Sequence, residues 1–98
     1  MNWTNEQLAA IWAKANPVPN NDPNAWRKDA CGAWIGWQFY GSRRSQCGWE
    51  VDHITPVEHG GSDAISNLRP LHWKNNASKQ DGRLTCPVRA NGTSNSGI

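Results

Sequence analysis

Residues 50–81 read EVDHITPVEHGGSDAISNLRPLHWKNNASKQD, and the fold turns on how this run alternates, breaks and resumes. Trp49, Val51 and Ile54 are apolar and β-favourable, and Pro56 stops the run, so Asp52 and His53 fall near the end of a short strand. Neighbours on a strand point to opposite faces, but a strand end or bulge lets both reach a common site. His59–Asn67 then carries a glycine pair and several turn formers. Leu68–Leu71 returns as a second strand, giving a hairpin with a long loop. Trp73–Asp81 has neither Gly nor Pro, and a helix there puts Asn76 and Lys79 on one face with Gly82 at its stop. Strand, loop, strand, helix is the expected local order.

The chemistry of these groups follows from their types. Asp52 and Asn76 offer hard oxygen donors, which suit Mg2+ or Mn2+ better than a soft-ligand metal. The imidazole of His53 is not needed as a ligand and is suited to general-base work near neutral pH. A hard cation beside one imidazole is therefore the arrangement this stretch can build.

Outward from the stretch, 98 residues make one small domain. A net charge of +2 permits a polyanionic partner without demanding one. Seven Trp against one Phe and one Tyr suggest that indoles replace part of an aliphatic core, with Trp26, Trp34 and Trp37 among them. Thr4–Ala15 reads as an amphipathic helix with Leu8, Ile11, Trp12 and Ala15 on one face, and Thr4 with Gln7 as a capping box. Asn16–Asn24, with three prolines and four asparagines, reads as an extended connector. Within Trp26–Tyr40 a short strand around Ala33–Ile35 and a following turn are expected. Three cysteines, at 31, 47 and 86, form no CxxC pair and leave one unpaired under any scheme, which favours a reducing compartment and signals no structural zinc. No long apolar run suggests secretion or membrane insertion, so a cytoplasmic protein is expected. Residues 1–82 form the expected domain, its motif core at 49–82, and the Asn-, Gly- and Ser-rich residues 83–98 are expected to be a flexible tail.

Asp52-His53-Ile54, Pro56, Gly60-Gly61, Asn67-Leu68, Asn76 and Lys79, taken together, resemble the ββα-metal motif of HNH endonucleases. More loosely, RKDACGAWI and YGSRRSQCGWE are similar to what precedes that motif in small stand-alone bacterial and phage HNH proteins. The resemblance implies an α+β fold with a ββα-metal (HNH/His-Me finger) core, supported by the N-terminal helix and the Trp-rich segment. It implies metal-dependent hydrolysis of DNA, double-stranded by expectation, leaving 5′-phosphate and 3′-hydroxyl ends. His53 would be the general base, Asp52 and Asn76 the ligands of one Mg2+ or Mn2+, and Asn67 the residue that holds the loop positioning His53. The last H of the family name falls on Asn76, as in the HNH domain of RNA-guided CRISPR nucleases. His72 stands where zinc-bearing relatives often have Cys, so it is either a packing residue or an extra site group.

Arg43 and Arg44, eight or nine residues before Asp52, and Lys74 and Lys79 in the helix are candidate phosphate contacts. Each has an ordinary alternative as a solvated surface cation, and Arg69 could pair with an acid inside the fold. His59 reads as a surface residue. Two other function classes stand beside the nuclease: a non-catalytic DNA-binding module on the same scaffold, and a small structural metal-binding protein. Retention of His53 and both oxygen ligands speaks against the first. The lack of a closing set of Cys or His speaks against the second.

Overall fold

The computed structural model describes residues 2–98. In chain order they form helix α1 (Asn5–Trp12), strands β1 (Asn16–Pro17), β2 (Trp26–Lys28), β3 (Trp34–Gly36), β4 (Trp49–His53) and β5 (Leu68–His72), helix α2 (Trp73–Ala77), and strands β6 (Arg89–Asn91) and β7 (Ser94–Ser96). The strands pair antiparallel in three small sheets, β1-β2-β3, β4-β5 and β6-β7. The protein is of the α+β class.

The start of α1 is fixed by the expected capping box. Thr4 Oγ1 accepts from the Gln7 amide at 3.1 Å, and Gln7 Oε1 accepts from the Thr4 amide at 2.8 Å. Leu8, Ile11, Trp12 and Ala15 are buried. The helix ends at Trp12 rather than Ala15, because Lys14 and Ala15 donate to the carbonyls three residues back and so tighten the chain into a turn. That turn sends Asn16–Pro17 along β2 as an edge strand, where a proline's missing N–H costs no ladder bond.

The core is built on indoles. The Trp49 side chain is wholly buried, with ring centroids 5.2 Å from Trp12, 5.9 Å from Trp37 and 5.0 Å from Tyr40. This cluster locks α1 and the 3-10 turn Trp37–Phe39 onto β4, the strand that carries Asp52 and His53. Lys14 Nζ donates to the carbonyl of Ile65, at 2.7 Å, and also to that of Leu68, tying α1 to the entrance of β5. Of the three tryptophans expected inside, Trp34 is buried, whereas Trp26 and Trp37 are half-buried.

A second, polar centre lies under α2. Asp29 is 1% exposed; its Oδ1 accepts from the amides of Cys31 and Ala33 at 2.9 and 2.8 Å, and its Oδ2 from the His72 amide at 2.9 Å and Asn75 Nδ2 at 3.1 Å. Asn75, also buried, exchanges bonds with Val88 through both its amide atoms, at 3.0 and 2.8 Å. A fully satisfied buried network of this kind specifies one arrangement of the elements it joins.

Residues 83–98 are not a loose tail. They fold back as the β6-β7 hairpin: Val88 is 0% exposed, the Ala90 amide donates to Gly32, and Asn95 bonds to Trp34 and Gln46. The apolar content of this segment is low because it docks through one buried side chain and many polar bonds. Cys86 forms a disulfide with Cys31, and Cys47 is the free cysteine. That bond withdraws the support that the cysteine pattern lent to a reducing compartment. No helix among the described residues is long and apolar enough to cross a membrane.

Candidate functional site

Five ladder pairs, from Trp49 opposite His72 to His53 opposite Leu68, join β4 to β5, and α2 follows β5 without a loop. His72 ends the strand and caps the helix, its Nδ1 accepting from the Lys74 amide at 3.0 Å. Nε2 therefore carries the proton, donated to the Gln46 carbonyl at 2.8 Å. Burial lowers the pKa of this imidazole, against a smaller upward pull from the Gln46 carbonyl and Asp29. His72 is thus a buried cap and packing residue whose two nitrogens are both committed, and it lines neither of the polar clefts beside β4.

Helix α2 is shorter than the expected Trp73–Asp81. Two asparagines within it and a serine just after give it weak propensity, Asn75 spends its side chain on Asp29 and Val88, and Thr85 Oγ1 donates to the Ser78 carbonyl just past the end. Asn76 lies within the helix and Lys79 beyond it, yet both face a cleft of about 240 Å³ that Asp52, His53 and Glu58 also line. A neighbouring cleft shares Glu58, Asn76 and Lys79.

Asp52, 3% exposed, lies between two cations: Arg69 Nε is 2.7 Å from Oδ2, and Lys79 Nζ donates to Oδ1. Lys79 also donates to the His53 carbonyl at 3.1 Å. The candidate phosphate contact Lys79 is thereby turned inward, and Arg69 takes the internal pairing open to it. Asn76 donates from Nδ2 to Glu50 Oε1 at 3.0 Å, which leaves its Oδ1 as the acceptor end. Glu50 also receives a two-bond contact from Arg43, at 2.7 and 3.0 Å. Burial pushes the Glu50 carboxyl up, but its bonds to Arg43 and Asn76 outweigh this and hold it below the usual range. Arg43 is therefore committed to Glu50, while Arg44 is exposed and Lys74 half-buried, and neither forms an ion pair among the described residues.

The loop between the strands is tied by Asn67. Its Oδ1 accepts from the Thr55 amide at 2.8 Å, and its Nδ2 donates to the carbonyls of Thr55 at 3.1 Å and Ser62 at 2.8 Å. The glycine pair fits this closure: Gly60 has φ of 88°, and a Cβ on Gly61 would lie 1.7 Å from the Thr55 carbonyl oxygen. His53, half-buried, has Nε2 2.7 Å from Asp63 Oδ1 on the far side of the loop, and its ring centroid is 6.2 Å from that of Trp3. His59 is exposed, 3.2 Å from Asp81.

Asp52, His53, Asn76 and Lys79 are thus brought together, with Asn67 behind the loop, whereas His72 is not part of the group. Sequence reasoning passed over Glu58, Asp63, Asp29 and Asn75. Glu58 and Asp63 lie in the turn-rich loop, where no periodicity tells which side chain turns toward His53.

Among the described residues no three His, Cys, Asp or Glu side chains gather as a closed metal shell. The donor chemistry nevertheless fits one hard cation in an open site. Asp52 and Asn76 line one cleft, and the Asp52 carboxylate already holds a cation in the Lys79 ammonium.

Residues 40–82 match the family described as HNH endonuclease. No curated protein and no solved structure matches the chain. The matched segment is the one that builds β4, the stapled loop, β5 and α2, and over it the chain is similar to the HNH endonuclease family.

Proposed function

We propose that this protein is a metal-dependent endonuclease that hydrolyses DNA phosphodiester bonds on a ββα-metal core, with His53 as general base. The observation that carries the reading is the common cleft. His53, the buried Asp52 and Asn76 line it together within the segment that matches a nuclease family.

His53 takes the proton of the attacking water; a positioned imidazole is suited to this because its ordinary pKa lies near neutral pH. Asn67 keeps the loop closed, so that the ring stays at the cleft. Asp52 and the Asn76 amide oxygen would hold Mg2+ or Mn2+, which when bound would neutralise charge developing on the phosphate and the leaving oxygen. Glu50, by accepting from Asn76 Nδ2, keeps that amide turned with its oxygen free. Lys79 must release Asp52 Oδ1 when the site is loaded, and its ammonium then becomes available to a phosphate oxygen. Arg44 and Lys74, as cations without an acidic partner, are suited to the flanking backbone of double-stranded DNA. The expected ends are 5′-phosphate and 3′-hydroxyl.

A non-catalytic DNA-binding module is the rival reading, and the double pairing of Asp52 favours it. The two separate in a plasmid assay with Mg2+ or Mn2+ and with chelator. Wild type converts supercoiled plasmid to nicked or linear forms only with metal, and His53→Ala binds the plasmid but leaves it supercoiled. Equal persistence of supercoiled plasmid with both proteins, each still binding it, would refute the nuclease.

A further inference from the structure

Asp63 has a contact that the motif does not account for. Its Oδ1 lies 2.7 Å from His53 Nε2, although ten residues and two tight turns separate the two in sequence. A carboxylate oxygen accepts, so the proton of this bond belongs to Nε2, and the nitrogen left to take up another is Nδ1.

The path that delivers Asp63 is well determined. Pro56 and Val57 carbonyls accept from His59, Gly60 and Gly61 and wind the chain back. Asn67 then grips both ends of the turn, Thr55 just after His53 and Ser62 just before Asp63. Ser62 Oγ accepts from the Ala64 amide at 3.2 Å, so the residues on both sides of Asp63 are fixed by bonds in which its own side chain takes no part. The Asn67 staple thereby holds a carboxylate against the imidazole as well as holding the loop.

We infer that Asp63 is a positioning residue for His53: it accepts the Nε2 proton, fixes the tautomer and plane of the ring, and leaves Nδ1 as the nitrogen that receives the proton of the attacking water. This rests on the reading of His53 as the base. No covalent step is added, and the proton balance is that of one water giving one proton to Nδ1. The arrangement follows the general logic by which an acid partner orients a working histidine.

Asp63 is half exposed, and the loop bonds do not pass through its side chain, so Asp63→Ala should fold. Two measurements on the full chain test the role. Proton NMR of wild type should show a downfield, exchange-protected His53 Nε2–H resonance, assigned by its loss in His53→Ala, and Asp63→Ala should lose it. Single-strand nicking by Asp63→Ala should show kcat reduced by roughly 10- to 100-fold, the scale of losing a carboxylate partner behind a functional histidine, with KM unchanged. A resonance that persists in Asp63→Ala, or an unchanged kcat, or a loss confined to KM, would each overturn the assignment. A wild-type protein that shows the resonance but never nicks DNA would instead overturn the nuclease reading together with the catalytic part of this one.

Discussion

Replacing Asp29 by Asn tests how much of the molecule depends on one buried side chain. Its two oxygens each accept two N–H donors, from Cys31 and Ala33 on one side and from His72 and Asn75 on the other. An asparagine must turn its NH2 toward one of these pairs, and Asn75 cannot invert in response because its Oδ1 is committed to the Val88 amide. Two bonds to a charged acceptor are then lost and two buried donors face a donor. At roughly 1.5–3 kcal/mol for each such bond, Asp29→Asn should cost about 3–6 kcal/mol. Against a typical total of about 5–15 kcal/mol for a single domain, that is a large fraction. Urea unfolding followed by tryptophan fluorescence would measure it, with exposed Asp22→Asn as a control expected to stay within about 0.5 kcal/mol of wild type. Hydrogen exchange should show the amides of His72 and Val88 losing protection first, since both belong to the network. A loss below about 1 kcal/mol in Asp29→Asn would refute the reasoning, because it would mean that the four donors are satisfied some other way.

Two further outcomes are expected. Lys79→Met removes the ammonium that holds Asp52 Oδ1 and should tighten Mn2+ binding, measured by calorimetry, by about tenfold, with Asp52→Asn abolishing it; unchanged or weaker binding in Lys79→Met would count against competition for that oxygen. His72 has a pKa in the folded protein below its ordinary value of 6.5, so the unfolded chain binds more protons in the window between the two. Stability should therefore fall as pH drops through 6.5 and level off below the folded pKa, and His72→Asn, which keeps a side-chain acceptor at the helix cap, should flatten that dependence in urea titrations at successive pH values; parallel profiles for both proteins would contradict it.

The parts legible in the sequence were those whose signals are local. Thr4 and Gln7 mark the start of α1, alternation around Val51 and the break at Pro56 mark β4, and Gly60-Gly61 marks a turn that only small residues can make. What stayed hidden depends on partners distant in the chain. Asp29 in DACGAW gives no sign that it will meet His72 and Asn75, and β2 is too short to establish an alternation. The C-terminal hairpin had a usable signal that polar composition masked. Gly92, with φ of 64°, sits first in the two-residue loop between Asn91 and Ser94, the position a II′ hairpin turn gives to glycine. The group around the cleft was legible by residue type, but its ion pairs were not. Nothing in the spacing distinguishes an Asp52 open to a metal from one already flanked by Arg69 and Lys79.

The Cys31–Cys86 bond encloses all of residues 40–82, and so makes the family segment an arc of a covalent ring. A protease that cuts the exposed turn around Glu58–Ile65 would therefore release no fragment: the two halves would stay joined through sulfur and through the ladder of β4 and β5. Such a nicked molecule would run as one species until reduced. The gap between the halves would fall between His53 and Asn67, so its backbone could be severed while every side chain of the cleft remained on the same molecule.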